Sequence, residues 1–182
     1  MVRKSAFAPV VNEATCVVIL GSLPGEMSLA VAQYYANPRN QFWQLVGAVI
    51  DRPDLTTLGY DARLAALLGN RIGLWDAVAS AERPGSLDNA IREARPAALA
   101  DMVAALPQLR AVAFNGQTSA KIARPLLSGL PLALIDLPSS SPAHAAMPMA
   151  QKQEIWLGLR QFIAQPLAPR LPCGANGGIA KP

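Results

Sequence analysis

Four short apolar runs punctuate the chain, and what separates them leaves few folds open. Cys16-Val17-Val18-Ile19-Leu20 is continuous, rich in β-branched residues and stopped by Gly21, the pattern of a strand buried on both faces. Arg71-Ile72-Gly73-Leu74-Trp75, Ala111-Val112-Ala113-Phe114 and Leu132-Ala133-Leu134-Ile135 repeat it. The segments between and after them carry the helical period. Phe42, Trp43, Leu45, Val46, Val49 and Ile50 recur on one helix face before Pro53. Tyr60 to Leu68, Pro96 to Leu106, Gln117 to Leu127 and Met149 to Phe162 read as further helices. Strands alternating with helices form a parallel sheet with right-handed crossovers. The expected fold is α/β, a three-layer α/β/α sandwich on a central four-stranded parallel sheet. At 182 residues, 52% hydrophobic and 15% charged, the chain suits one domain, expected over 1–164. Residues 165–182, with several prolines and a Cys-Gly-Ala-Asn-Gly-Gly stretch, are expected to form a C-terminal tail outside it.

Composition excludes some chemistry. The two cysteines, Cys16 and Cys173, make no CxxC motif, and His144 is the single histidine, whereas zinc usually takes three or four protein donors. No metal and no cofactor are expected. Pro9, Asn12 and Glu13 interrupt any apolar leader, and no apolar run approaches the ~18 residues of a membrane span. A cytoplasmic protein without membrane contact is expected, and a monomer. The net charge of +4, with twelve arginines against four lysines, is compatible with an anionic partner, since the arginine fork suits phosphate and base edges.

Open parallel sheets bind ligands at the carboxyl ends of their strands. Here those ends carry Ser22 to Gly25, Asp76, Asn115 and the loop Pro138 to His144, so four separate segments supply one polar rim of amides, hydroxyls and glycines. Gly21-Ser22-Leu23-Pro24-Gly25, Tyr35-Ala36-Asn37-Pro38-Arg39-Asn40-Gln41-Phe42-Trp43, Phe114-Asn115-Gly116 and Leu137-Pro138-Ser139-Ser140-Ser141-Pro142-Ala143 resemble, in order and spacing, the motif set of the uracil-DNA glycosylase superfamily. Trp75-Asp76, Ser86-Leu87-Asp88 and the Pro-Ser-Ser-Ser-Pro loop resemble its hypoxanthine (deoxyinosine) branch more than the mismatch-specific one. The resemblance spans about residues 16 to 163. Two positions depart from other branches: Leu23 stands where mismatch-specific relatives place a water-orienting Asn, and Leu137 where others place His or Asn.

The resemblance implies a uracil-DNA-glycosylase-like fold and a monofunctional glycosylase. Such an enzyme flips a deaminated base out of DNA, hypoxanthine favoured and uracil or xanthine possible, and hydrolyses its N-glycosidic bond. It implies Asn40 as the catalytic residue, in place of the first-motif Asn, and Tyr35 as the stacking platform for the base. Ser22 and Asn115 complete the base-binding set, with the Asn115 amide reading a ring N–H beside a carbonyl. Ser139, Ser140 and Ser141 are expected to contact DNA phosphates and His144 to contact DNA, and Ala143, His144 and Met147 are candidate wedges for the gap left in the duplex. Plainer roles are compatible with several of these: an Asn before an apolar helical run is an ordinary cap, and Asp76 could hold a loop. Two other functions fit the same pocket. A DNA- or base-binding protein could have lost chemistry with the first-motif Asn, and a hydrolase could act on free nucleosides or nucleotides.

Overall fold

The computed structural model describes residues 3–164, and the expected 165–182 tail lies outside them. Alternation along the strands divides the core in two. In β2 (Val17–Gly21) and β6 (Ala111–Asn115) every residue is buried. Val17, Ile19, Ala111 and Ala113 face one hydrophobic cluster, and Val18, Leu20, Val112 and Phe114 face another. Successive side chains on a strand point to opposite sides, so both faces must be covered. The flanking strands are β3 (Ile72–Asp76) and β7 (Ala133–Leu137), in the order β3-β2-β6-β7 and all parallel.

The first cluster is closed by α2 (Phe42–Val49), α3 (Tyr60–Gly69) and α6 (Met149–Leu157), through Phe42, Leu45, Val46, Leu67 and Trp156. The second is closed by α4 (Leu99–Ala105) and α5 (Gln117–Leu127), through Leu99, Met102, Ala123 and Leu127. This is the three-layer α/β/α sandwich on a four-stranded parallel sheet that the strand runs imply. The chain steps from β2 to β3 on one side, then crosses back to β6 on the other. The carboxyl ends of β2 and β6 therefore flank the topological switch point, where a crevice opens.

Four features differ from the sequence expectation. A second sheet, antiparallel, has the order β1-β4-β5 from Arg3–Ser5, Val78–Glu82 and Arg92–Pro96. The expected helix from Pro96 begins instead at Leu99, because Pro96 closes β5. A short helix, α1 (Glu26–Val31), follows the glycine turn after β2. The closing helix breaks at Gly158 into α6 and α7 (Arg160–Ile163), with the Trp156 indole donating to Pro138 C=O at 3.0 Å. Among the described residues, no helix is long and apolar enough to cross a membrane.

Candidate active site

The crevice at the switch point is a cleft of about 830 Å³, lined by all four expected segments, including Ser22, Tyr35, Asn40, Asn115 and His144. Its floor depends on Gly21. A Cβ there would lie 2.6 Å from Asp76 Oδ1 and 3.3 Å from the Tyr35 hydroxyl oxygen, so any larger residue would displace both groups. Ser22 follows, 9% exposed, and its hydroxyl donates to Asp88 Oδ1 at 2.6 Å. Leu23 lines the cleft as an apolar residue and packs with Val78 and Ala81. Its carbonyl and that of Pro24 accept from the guanidinium of Arg83, whose side chain is fully buried 3.8 Å from Asp88. Arg83 thereby anchors the glycine turn from below. Sequence reasoning missed it, since neither period nor motif marks a cation that will be buried by contacts ~60 residues away.

Tyr35 has φ +52, a left-handed conformation that a bulky residue rarely adopts. Three contacts hold it. Its ring stacks on Phe42 with centroids 3.7 Å apart and planes at 5°. Its carbonyl accepts from the Trp43 indole at 3.3 Å, and its hydroxyl accepts from Asn115 Nδ2 at 3.1 Å. Burial raises the Tyr35 pKa, so the phenol is neutral. Since Phe42 covers one face of the ring, only the other is available to stack on a ligand. Asn40, half-buried on the cleft wall, accepts from Phe42 N–H through Oδ1 at 3.0 Å. Lying just before the N-cap Gln41, it thus makes a turn hydrogen bond to the first residue of α2 and lines the cleft at once. An amide anchored by its oxygen keeps its NH₂ and one oxygen lone pair for a ligand.

The Asn115 amide has protein partners at both ends. Oδ1 accepts from Ser140 N–H at 2.9 Å, while Nδ2 donates to Ser140 Oγ at 2.8 Å and to Tyr35. Turning the amide over would set NH₂ against the Ser140 N–H, so this orientation is fixed. Both donors are spent, and direct reading of a base edge by Asn115 would require breaking bonds that hold the floor together. Ser140 is likewise 1% exposed and its carbonyl accepts from Gln41 N–H. It ties β6 to α2 rather than facing a phosphate. Ser139 and Ser141 are half-buried acceptors for Ser141 N–H and Ala143 N–H, and His144 is exposed.

Beneath this loop lies a second missed cation. Lys152 of α6 is 1% exposed, and its Nζ donates to His144 C=O and to Gln41 Oε1, each at 2.9 Å. One ammonium therefore joins the loop to the residue after Asn40. Of the wedge candidates, Ala143, His144 and Met147 all line the cleft. Leu87, on the loop after β4 and quoted above only as part of a motif, is an exposed apolar residue on the same rim.

Asp76, at the end of β3, is the cleft's buried carboxyl. It is 3% exposed, and Oδ2 has no hydrogen-bond partner. Burial raises its pKa to about 7, opposed by the Tyr34 phenol and the Arg83 guanidinium and reinforced by Asp88. Among the described residues no group of three or more His, Cys, Asp or Glu could hold a metal ion.

Fold and cleft define an open-sheet α/β protein whose strand ends carry a cleft lined by Tyr35, stacked on Phe42, and by the side chains of Asn40 and Asn115. The chain belongs to the uracil DNA glycosylase superfamily, whose family model matches residues 8–160. It is 39% identical over 142 residues to a Hypoxanthine DNA glycosylase of Methanosarcina barkeri, covering 78% of this chain and 89% of that one. To the Methanosarcina acetivorans protein of the same name it is 40% identical over 141 residues, covering 78% and 88%. A solution NMR structure from M. acetivorans, described as a candidate uracil DNA glycosylase, superposes with a TM-score of 0.79 at 36% identity, covering 88% of this chain and 99% of that one.

Proposed function

We propose that the protein is a monofunctional DNA glycosylase of base excision repair that extrudes hypoxanthine from DNA and hydrolyses its N-glycosidic bond. The observation that carries this is the placement of Asn40 at the amino end of α2, inside a cleft whose first-motif position is the apolar Leu23. The relatives near 40% identity, both named Hypoxanthine DNA glycosylase, support the choice of base. The glycosylase unit is residues 1–164, acting as a monomer on cytoplasmic DNA.

Extrusion precedes chemistry, because the target bond is shielded in the stack, and it costs least where the base is mispaired. The extruded base lies on the open face of Tyr35. As the bond to C1′ lengthens, positive charge grows on the sugar and negative charge on the base. The Asn40 NH₂ and the positive end of α2 stabilise the negative charge. The remaining Oδ1 lone pair of Asn40 accepts a proton of the attacking water and sets its direction. An amide is a weak base, so the rate comes from position and electrostatics. Asn115 acts as the keystone that sets Tyr35 and the Ser140 backbone, while Ser139, Ser141 and His144 meet the phosphates beside the lesion.

The test is release of free base from a duplex containing deoxyinosine, beside the same assay on the free nucleoside. The proposal expects release from the duplex and little from the nucleoside. Binding without release would identify a non-catalytic protein, and preference for the nucleoside would identify a small-molecule hydrolase.

A further inference from the structure

Asp76 is the buried cleft group that this mechanism leaves unused. Oδ2 has no partner, and an isolated charge in such a place is costly unless it is neutralised or paired. The groups that face it are Tyr34, Tyr35, Arg83 and Asp88. Both tyrosine phenols are held neutral by burial. Arg83 gives two N–H groups to carbonyls and its charge offsets the burial of Asp76 only in part, while Asp88, a second carboxyl, raises the Asp76 pKa further. Burial keeps a substantial protonated fraction near neutral pH, with the pKa at about 7.

Depth decides what this group meets. Asp76 lies on the floor beside the Tyr35 hydroxyl, over Gly21, whereas Asn40 is half-buried on the wall. An extruded nucleotide enters base first, its sugar still tethered to the backbone. The floor therefore meets the base, and the wall meets C1′ and water. A protonated carboxyl against a base is a proton donor. A purine offers it N7, conjugated with the N9 that takes up the bond's electron pair, while uracil has only carbonyl oxygens as acceptors.

We propose that Asp76 is the catalytic acid of the reaction, delivering its proton to N7 of the departing purine, an inference that rests on the reading of the chain as a hypoxanthine-removing glycosylase. The C1′–N9 bond breaks with its electron pair passing to N9 and into the imidazole ring. The O–H bond of Asp76 breaks as N7–H forms, and hypoxanthine leaves neutral. The water oxygen bonds to C1′ and its surplus proton passes to solvent, from which Asp76 is reprotonated after release.

The test is single-turnover release from a deoxyinosine duplex by wild type and Asp76→Asn, from about pH 5 to about pH 9, with a 7-deaza-2′-deoxyinosine duplex alongside. Wild type is expected to hold its rate below about pH 7 and to lose about tenfold per pH unit above it. Asp76→Asn is expected to be roughly tenfold or more slower at the acid end and to lose that pH dependence. The 7-deaza base is the poorer leaving group even without an acid, so it should slow both proteins, and wild type acting on it should lose the fall in rate above about pH 7. Wild-type rate and profile in Asp76→Asn, or equal release of both bases by wild type, would overturn the proposal. If the variant does not fold, the wild-type pH profiles on the two bases decide alone, and the same fall above about pH 7 on both would overturn the proposal. Wild type that releases no hypoxanthine overturns the functional reading and this inference with it, whereas an active wild type with an unaffected variant overturns only the role of Asp76.

Discussion

Asn40 carries two functions through one amide, and a single substitution separates them. Asn40→Ala should lower single-turnover base release by roughly tenfold or more, with lesion-DNA affinity within a few-fold, because the amide acts mainly on the transition state. Losing its bond to Phe42 N–H should also cost about 1 kcal/mol, the usual net worth of one hydrogen bond. Near-wild-type release would remove Asn40 from the mechanism, and a collapse in thermal midpoint would leave it a purely structural residue. Asp76 makes the opposite trade. Its pKa rises on folding from 3.8 to about 7, so between those values the folded chain holds a proton that the unfolded chain has released. Its contribution to stability is therefore fully present below about pH 4 and is lost as pH rises through about 7. Asp76→Asn should melt progressively higher than wild type between about pH 4 and about pH 8, by roughly 2–4 °C for each kcal/mol regained. A constant difference across that range would contradict the buried-acid description.

At the scale of elements, the site is a junction between β6, α2 and α6, made by Asn115, Ser140, Gln41 and Lys152. Lys152→Met keeps the stem but releases both His144 and Gln41. It should weaken lesion-DNA binding several-fold, measured by titration, while the protein stays folded, and unchanged affinity would show that the loop holds its shape without the tie. What the sequence disclosed follows the same divide. The four parallel strands were legible because burial on both faces leaves an unbroken apolar run. The second sheet was not, because Arg92–Pro96 is exposed at every position and Arg3–Ser5 is polar, so neither carries an alternating pattern. Asn115 was placed at the cleft because strand ends converge in an open parallel sheet, whereas Tyr35 and Asn40, on the segment before α2, were marked only by the motif resemblance. Local spacing could not show that the Asn115 amide is spent on Ser140 and Tyr35, or that Arg83 and Lys152 are buried, because their partners are distant in sequence.

For the whole molecule, a net charge of +4 and a cleft that takes a nucleotide imply binding that weakens with salt as counterions are displaced. A flat response between low and high salt would remove DNA as the partner. EDTA should leave release unchanged, and borohydride should trap no adduct, because no step uses a metal or a Schiff base. The central claim is that this cleft discharges a deaminated purine from DNA, and the most direct measurement compares single-turnover release from otherwise identical duplexes containing hypoxanthine, uracil, adenine or cytosine. The account predicts that hypoxanthine is released faster than uracil, with adenine and cytosine retained. Uracil released much faster than hypoxanthine, or no base released at all, would contradict it.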